Sequence, residues 1–332
     1  MIIDQTAWRH VGTAILLLFA VMMSSCASYR QTDFPLEEDA YAYKAPEKEA
    51  LLNRYAPVFV VEEPDKAYNR IGTPVARMDG DEEIIEVAPE KATIYTAEQQ
   101  FTTENGSYIN LLYRVHFPYV PFSLMPFYLG AGDNVGLIVV VTLDREERPL
   151  LYTLVQTCGC YLAFIPTSHL PQGQWKEGLH KDRQRVYGEN LPGFLDYSQQ
   201  VDEKLAIHIR PATHRVQNIR LATDVELEGY VAVEAELLPF QSLENLDLGD
   251  GATTSFYEVS GPRQGYVKGS HKIWERLLIS WWALDWRVGE DKKLGLNSDD
   301  GIVFYTSLKP WAREASDLRD FPGFLRYWGW RL

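Results

Sequence analysis

Two stretches lack the polar–apolar alternation of a half-exposed strand: "VGLIVVVTL" (135–143) and "LLYTLVQTCGCYLAFI" (150–165). Apolar on successive residues, they read as strands covered on both faces, lying centrally under a second sheet or a helix. A chain built around them must supply further layers. Shorter runs that could do so recur along the sequence: "YAPVFVVE", "ATIYTAEQQF", "YINLLYRVHF", "KLAIHIRP", "YVAVEAELL", "TSFYEVS" and "GIVFYTSL". All are rich in Val, Ile, Thr, Tyr and Phe, which favour the pleated backbone. In "TTENGSY", Asn105-Gly106 predicts a type I′ hairpin, whose two central residues need positive φ. "LDREERPLL" joins two runs through a short charged loop closing at Pro149, and "NSDDGIV" enters the last run through Gly301. Sequential strands with short turns imply antiparallel pairing. The expected fold is mainly β, an antiparallel sandwich or open barrel with one or two helices; an α+β arrangement is the alternative.

One helix is predicted over "GSHKIWERLLISWWAL", with Ser270 as N-cap. Ile273, Trp274, Leu277, Leu278 and Trp281 recur at helical spacing, and Glu275 and Arg276 mark the wetter side. A second short helix is predicted over "EGLHKDRQRVYG", ended by Gly188.

The N-terminus bounds location. Arg9 precedes thirteen uncharged residues, Val11 to Met23. That is too short for a membrane-spanning helix, which needs about 20 residues, but it suits the apolar region of a secretory signal. "MSSC" follows, and it resembles the lipobox of bacterial lipoproteins, with Met23 in place of the usual Leu and Ser25 in place of the usual Gly or Ala. The resemblance covers only residues 1–28. It implies that residues 1–25 are a signal peptide and that Cys26 becomes the first mature residue. Cys26 would then carry a thioether-linked diacylglycerol, usually with an added N-acyl chain. By the sorting rule of such lipoproteins, Ala27 implies the outer membrane, with the body facing the periplasm. Two or more acyl chains hold a protein stably where one holds it marginally. Residues 26–50, with six acids and two prolines, read as a lipidated tether, and residues 51–332 as a single mainly-β domain.

Charge narrows the partners. A net charge of −14 repels polyanions, so nucleic acid is excluded. The remaining partners are the membrane, through the lipid, and an envelope protein or glycan. Lys176, Lys181, Arg183 and Arg185 gather in "WKEGLHKDRQR" and are read either as a solvated helix face or as a contact for anionic headgroups or glycan phosphates.

Catalytic motifs are sparse. The sequence holds no G-x-S-x-G, no H-E-x-x-H and no G-x-x-x-x-G-K-[ST]. "LGAGDNVG" leads into a strand, not a helix, so it is read as a turn and not a dinucleotide loop. No cofactor is expected. Cys158 and Cys160 flank Gly159 inside an apolar run, where residues i and i+2 of a strand share a face. They are read as buried core thiols; the alternative is a strained redox pair. Zinc would need histidine partners, yet His116, His169 and His271 lie far apart in sequence. "MDGDEE", "DLGDG" and "NSDDG" lack the twelve-residue calcium loop and read as turns. Ser270 and His271 are adjacent and point apart, so they form no nucleophile–base pair. "HFPYVPFSLMPFY" (116–128) carries three prolines that exclude a central strand, and it reads as a loop that covers core, or else one that meets a membrane or an extended ligand.

Two function classes survive. One is a non-enzymatic envelope lipoprotein with a binding or structural role. The other is an envelope enzyme, a hydrolase or a thiol–disulfide catalyst using Cys158 and Cys160. A cleft gathering His116, Asp133 and the two cysteines would favour chemistry, and their dispersal would favour binding.

Overall fold

The computed structural model describes residues 39–197, 203–296 and 302–332. Cys26, the signal segment and Gly301 lie outside them. The chain is strand-rich, and no sheet among the described residues closes into a barrel. Five antiparallel strands form its centre: β5 (Thr93–Thr103), β6 (Gly106–Val120), β7 (Gly132–Leu143), β8 (Pro149–Gln156) and β9 (Leu162–Pro166). A second sheet comprises β1 (Tyr41–Lys44), β2 (Val58–Val61), β12 (Lys204–Ile209), β13 (Val216–Ala222) and β14 (Val231–Glu234). The strands between β2 and β5 are the β3–β4 hairpin (Thr73–Asp79, Glu82–Ala88), and those between β9 and β12 are β10 (Arg183–Val186) and β11 (Glu189–Pro192). β15 (Glu236–Pro239) adds to the edge of the central sheet, parallel to β5.

The two sheets face each other. Leu111, Tyr113 and Val115 of β6 and Leu137, Val139 and Val141 of β7 pack against Phe59, Val61, Ile207 and Ile209 of the second sheet. The intervening residues Leu112, Ile138, Val140 and Phe164 point the other way, onto Phe240, Phe256, Phe304, Phe321 and Phe324 of the C-terminal segment. Every residue of β7 from Asn134 to Leu143 is therefore buried, as its uninterrupted apolar run predicts. Each of its Val, Leu and Ile side chains contributes roughly 1.5–3 kcal/mol of burial free energy before ordering costs are subtracted. A short helix, α2 (Asp224–Leu227), covers the outer face of the second sheet; it follows α1 (Leu51–Arg54) and precedes α3 (Ile273–Ala283) and α4 (Phe321–Tyr327).

Several expectations are corrected. Residues 41–44, assigned to the tether, form β1, an internal strand between β2 and β14 with Ala42 and Tyr43 buried. Four residues are too few to display alternation between the charged flanks. Residues 183–186 are β10, not helix: the exposure of Arg183 and Arg185 alternates with the partial burial of Gln184 and Val186, a period of two. Tyr187 and Gly188 make the hairpin turn, both with positive φ. The β5–β6 hairpin forms, but its turn is Glu104-Asn105 and neither Asn105 nor Gly106 has positive φ. There the Thr103 hydroxyl accepts from the Asn105 backbone, and the Asn105 amide reaches the Arg331 carbonyl at 2.9 Å. β6 runs through Pro118 to Val120 despite the prolines. Its last pair with β5 is Arg114–Tyr95, so beyond that point one edge is free of β5 and the missing N–H is tolerated. Beyond Thr254, which ends a short strand paired with Leu246, the described residues of "TSFYEVS" and "GIVFYTSL" make isolated bridges, Tyr257 to Val267 and Tyr305 to Asp317.

Candidate functional site

α3 is built inside out. Glu275, expected on the wet side, is 5 % exposed, and Ser280 and Ala283 face inward with it. Trp281, expected in the core, is 70 % exposed, and Ile273, Leu277, Leu278 and Trp282 are exposed alongside it. Leu284 ends the helix in a left-handed conformation and is also exposed, as are Trp286 and Trp311. Ser270 is not the cap: Lys272 holds that position without a side-chain hydrogen bond.

The inversion has a physical cause, because what lies beneath α3 is polar. Asp291 accepts hydrogen bonds from the Thr157 hydroxyl at one oxygen and from Ser270 Oγ, at 2.7 Å, at the other. Lys272 Nζ pairs with the same carboxylate at 2.9 Å, both groups being buried. Lys292 donates through Nζ to the Cys158 carbonyl at 2.6 Å and to the Glu290 carbonyl at 3.2 Å. Its ammonium sits 4.3 Å from the Tyr305 ring centroid, a cation–π contact. Burial pulls the Lys292 pKa down to about 8, against the opposing pull of Asp291 and Asp285. Arg114, fully buried on β6, donates to the Lys292 carbonyl at 3.1 Å and to His116 Nε2 at 2.9 Å.

Glu275 completes this layer without a hydrogen bond of its own among the described residues. Burial raises its pKa, with Lys272 as the largest opposing influence. Gly289, at φ +81°, lets the chain pass beside it; a Cβ there would collide with Glu275 Oε2. Glu290 meets Arg263 and Arg276 at 3.3 and 3.2 Å, and burial raises its pKa against those cations. An apolar helix face laid over such groups would strip them of partners, which costs more than leaving tryptophan in water.

The loop after β6 joins this layer. Phe122 stacks on Trp274 with ring centroids 5.8 Å apart, and Phe127 meets the same indole edge-on at 5.6 Å. Phe122, Leu124 and Met125 are exposed. Instead of covering core, the loop tip extends the apolar surface of α3.

The residues singled out in the sequence are dispersed. Cys158 and Cys160 are joined as a disulfide in the turn after β8, not held as free thiols within a strand. Cys158 is buried and Cys160 half-buried. His116 is buried between Tyr95 and Phe256, and burial followed by the charge of Arg114 holds its pKa well below the usual range. His169 lies at the opposite end of the sheet, in a polar groove with Tyr108, Asp144 and Arg148. His271 approaches Arg263 and Glu290, and Asp133 is exposed at the start of β7. No group of three or more His, Cys, Asp or Glu among the described residues could hold a metal. Asp291, Lys292, Glu290 and Glu275 carry no motif. "GEDKK" reads as a solvated charge run, and only the fold turns it inward.

Chemically, the layer gathers charge but spends it internally. Asp291 accepts from two hydroxyls and an ammonium, and Lys292 donates to two carbonyls and faces the Tyr305 ring, while Glu290 Oε2 and Arg114 Nη2 have no hydrogen-bond partner among the described residues. What reaches solvent is the apolar surface held above them. No protein-family model, curated protein or solved structure matches this chain.

Proposed function

We propose that this chain is a lipid-anchored protein of the bacterial cell envelope, held by acylated Cys26 at the outer membrane, with a non-enzymatic binding or structural role. The observation that carries the reading is the cysteine accounting. Cys158 and Cys160 bond to each other, leaving Cys26 as the odd thiol, and it sits directly behind "MSS" and an apolar signal-like run. A disulfide fits an oxidising compartment beyond the inner membrane. The burial of the polar layer beneath α3 supports a role without catalysis, because an active site needs a base, a nucleophile or an electrophile within reach of substrate. A thiol–disulfide catalyst needs an accessible sulfur. Here Cys158 is buried, Cys160 is half-buried, and the backbone of Tyr305 lies over the Gly159 between them so closely that a Cβ would not fit.

The anchor is tested by metabolic labelling with an alkyne fatty acid. The wild-type protein takes the label, and Cys26→Ala loses both the label and processing at this site. An unlabelled wild-type protein would overturn the reading.

A further inference from the structure

We infer that the outward face of α3, with the 121–128 loop tip and Trp311, rests on the phospholipid surface to which the chain is anchored. The inference builds on the reading of Cys26 as the lipid-bearing residue.

The first ground is position. Tyr41, where the body begins, lies opposite Val61 in the second sheet. The segment following Val61 carries Tyr68, whose ring lies 5.3 Å from that of Tyr119 at the end of β6. Three residues beyond Tyr119, Phe122 stacks on Trp274 of α3. The chain from the anchor thus enters the sandwich at the end that carries the apolar surface. Arg313 ties the other side of that surface together by donating to the Ala283 carbonyl, which brings Trp311 beside the end of α3.

The second ground is reach. Asp39 lies thirteen positions beyond Cys26. The chain between them can span at most about 45 Å. An anchor on so short a lead keeps the headgroups at high effective concentration beside this end of the body.

The third ground is charge. In a chain of net charge −14, residues 121–131 carry no charge at all. The acids between Ile273 and Trp286 are Glu275 and Asp285. Glu275 is buried, and Asp285 accepts from the Tyr305 hydroxyl at 2.6 Å. Arg276 on the helix and Arg287 just beyond it are partly exposed, and Lys309 is exposed close to Trp311 in sequence. Among the described residues, Asp133 beside the loop and Glu314 after Trp311 are exposed acids at the border of this face. An acidic protein that clears carboxylates from one face and lines it with cations matches an anionic headgroup layer.

The fourth ground is composition. Trp281, Trp282, Trp286 and Trp311 are exposed together with Ile273, Leu277, Leu284, Leu124 and Met125. Indoles settle at the boundary of headgroup and acyl chain, where ring and N–H are both satisfied.

The test uses the full acylated chain in vesicles of phosphatidylethanolamine and phosphatidylglycerol with brominated acyl chains. Bromine should quench tryptophan emission by roughly a third, because four of the eight tryptophans from Cys26 onward lie on this face. Replacing Trp281→Ser and Trp282→Ser together should remove about half of that quenching while the protein stays anchored. A fatty-acid-labelled, vesicle-bound protein whose emission is unquenched overturns the docking and leaves the anchor standing. Quenching of a protein that carries no label on Cys26 overturns the anchor and leaves the docking standing. Unquenched emission with cross-linked dimers that disappear in the double variant assigns the face to a second copy of the chain and also overturns the inference.

Discussion

At the scale of single residues, the polar layer beneath α3 makes Lys292 a reporter of its own burial. Its folded pKa, about 8, lies below the ordinary 10.5. The unfolded chain therefore binds more protons than the folded one between these values, and stability rises with pH across that window. Below pH 8 the full penalty of a desolvated ammonium is present, on the order of 3 kcal/mol. As pH climbs from 8 toward 10.5 it is progressively relieved. Urea unfolding of wild type and Lys292→Met, at pH 7.5 and 9.5, should show the wild type gaining about 2 kcal/mol relative to the variant. Parallel pH dependence of the two would mean that Lys292 is solvated. None of this is visible in the string "GEDKK", where two lysines adjoin two acids like any surface run. The difference is made by Thr157, Ser270 and Cys158, brought in from more than twenty residues upstream.

At the scale of elements, β1 makes the sharpest test of where the folded body starts. Its Tyr43 is 2 % exposed in the core between the sheets, and its backbone pairs on both sides. A chain shortened to begin at Leu51 should fail to fold or lose solubility, whereas one beginning at Asp39 should unfold at the full-length temperature. Tyr43→Ala alone should cost about 3–5 kcal/mol in chemical unfolding. Equal melting of the two truncations would return β1 to the tether. Legibility follows from how an element is stabilised. β7 and β8 were readable because both faces are covered and nothing interrupts their apolar run. The α3 helix was readable as a helix, since Ile273, Leu277 and Trp281 keep helical spacing whatever they face. Its orientation was not readable, because that depends on what Asp291, Lys292 and Thr157 place beneath it. The β10 strand was masked by charges that count equally for a wet helix and a wet hairpin.

At the scale of the whole molecule, three buried histidines set acid tolerance. Burial lowers the pKa of His214 to about 3 and of His208 to about 4, and holds His116 well below the usual range. Their folded values lie below the unfolded 6.5, so the unfolded chain takes up protons first. Stability is complete above pH 6.5 and drains as pH falls. Each histidine costs up to about 2 kcal/mol at pH 5, a large share of a total stability of about 5–15 kcal/mol. Glu275 and Glu290, with raised pKa values, work in the opposite direction, so a single variant isolates the effect. His214 stacks on Phe117 at 4.1 Å, and His214→Phe should lose about 2 kcal/mol less than wild type between pH 7 and pH 5. Equal losses would exclude the histidine from acid unfolding. Connectivity carries a different consequence. β1 pairs with β14, β2 with β12, and β5 with β15, while Ala235 is buried where the chain crosses from one sheet to the other. The first strand of the body therefore finds its outer neighbour only after Val231 has been made. Loop closure over so long a span is slow. If the chain emerges N-terminus first, more than half the body is out before the second sheet can assemble, so this topology keeps the polypeptide open until at least Val231 is free to pair.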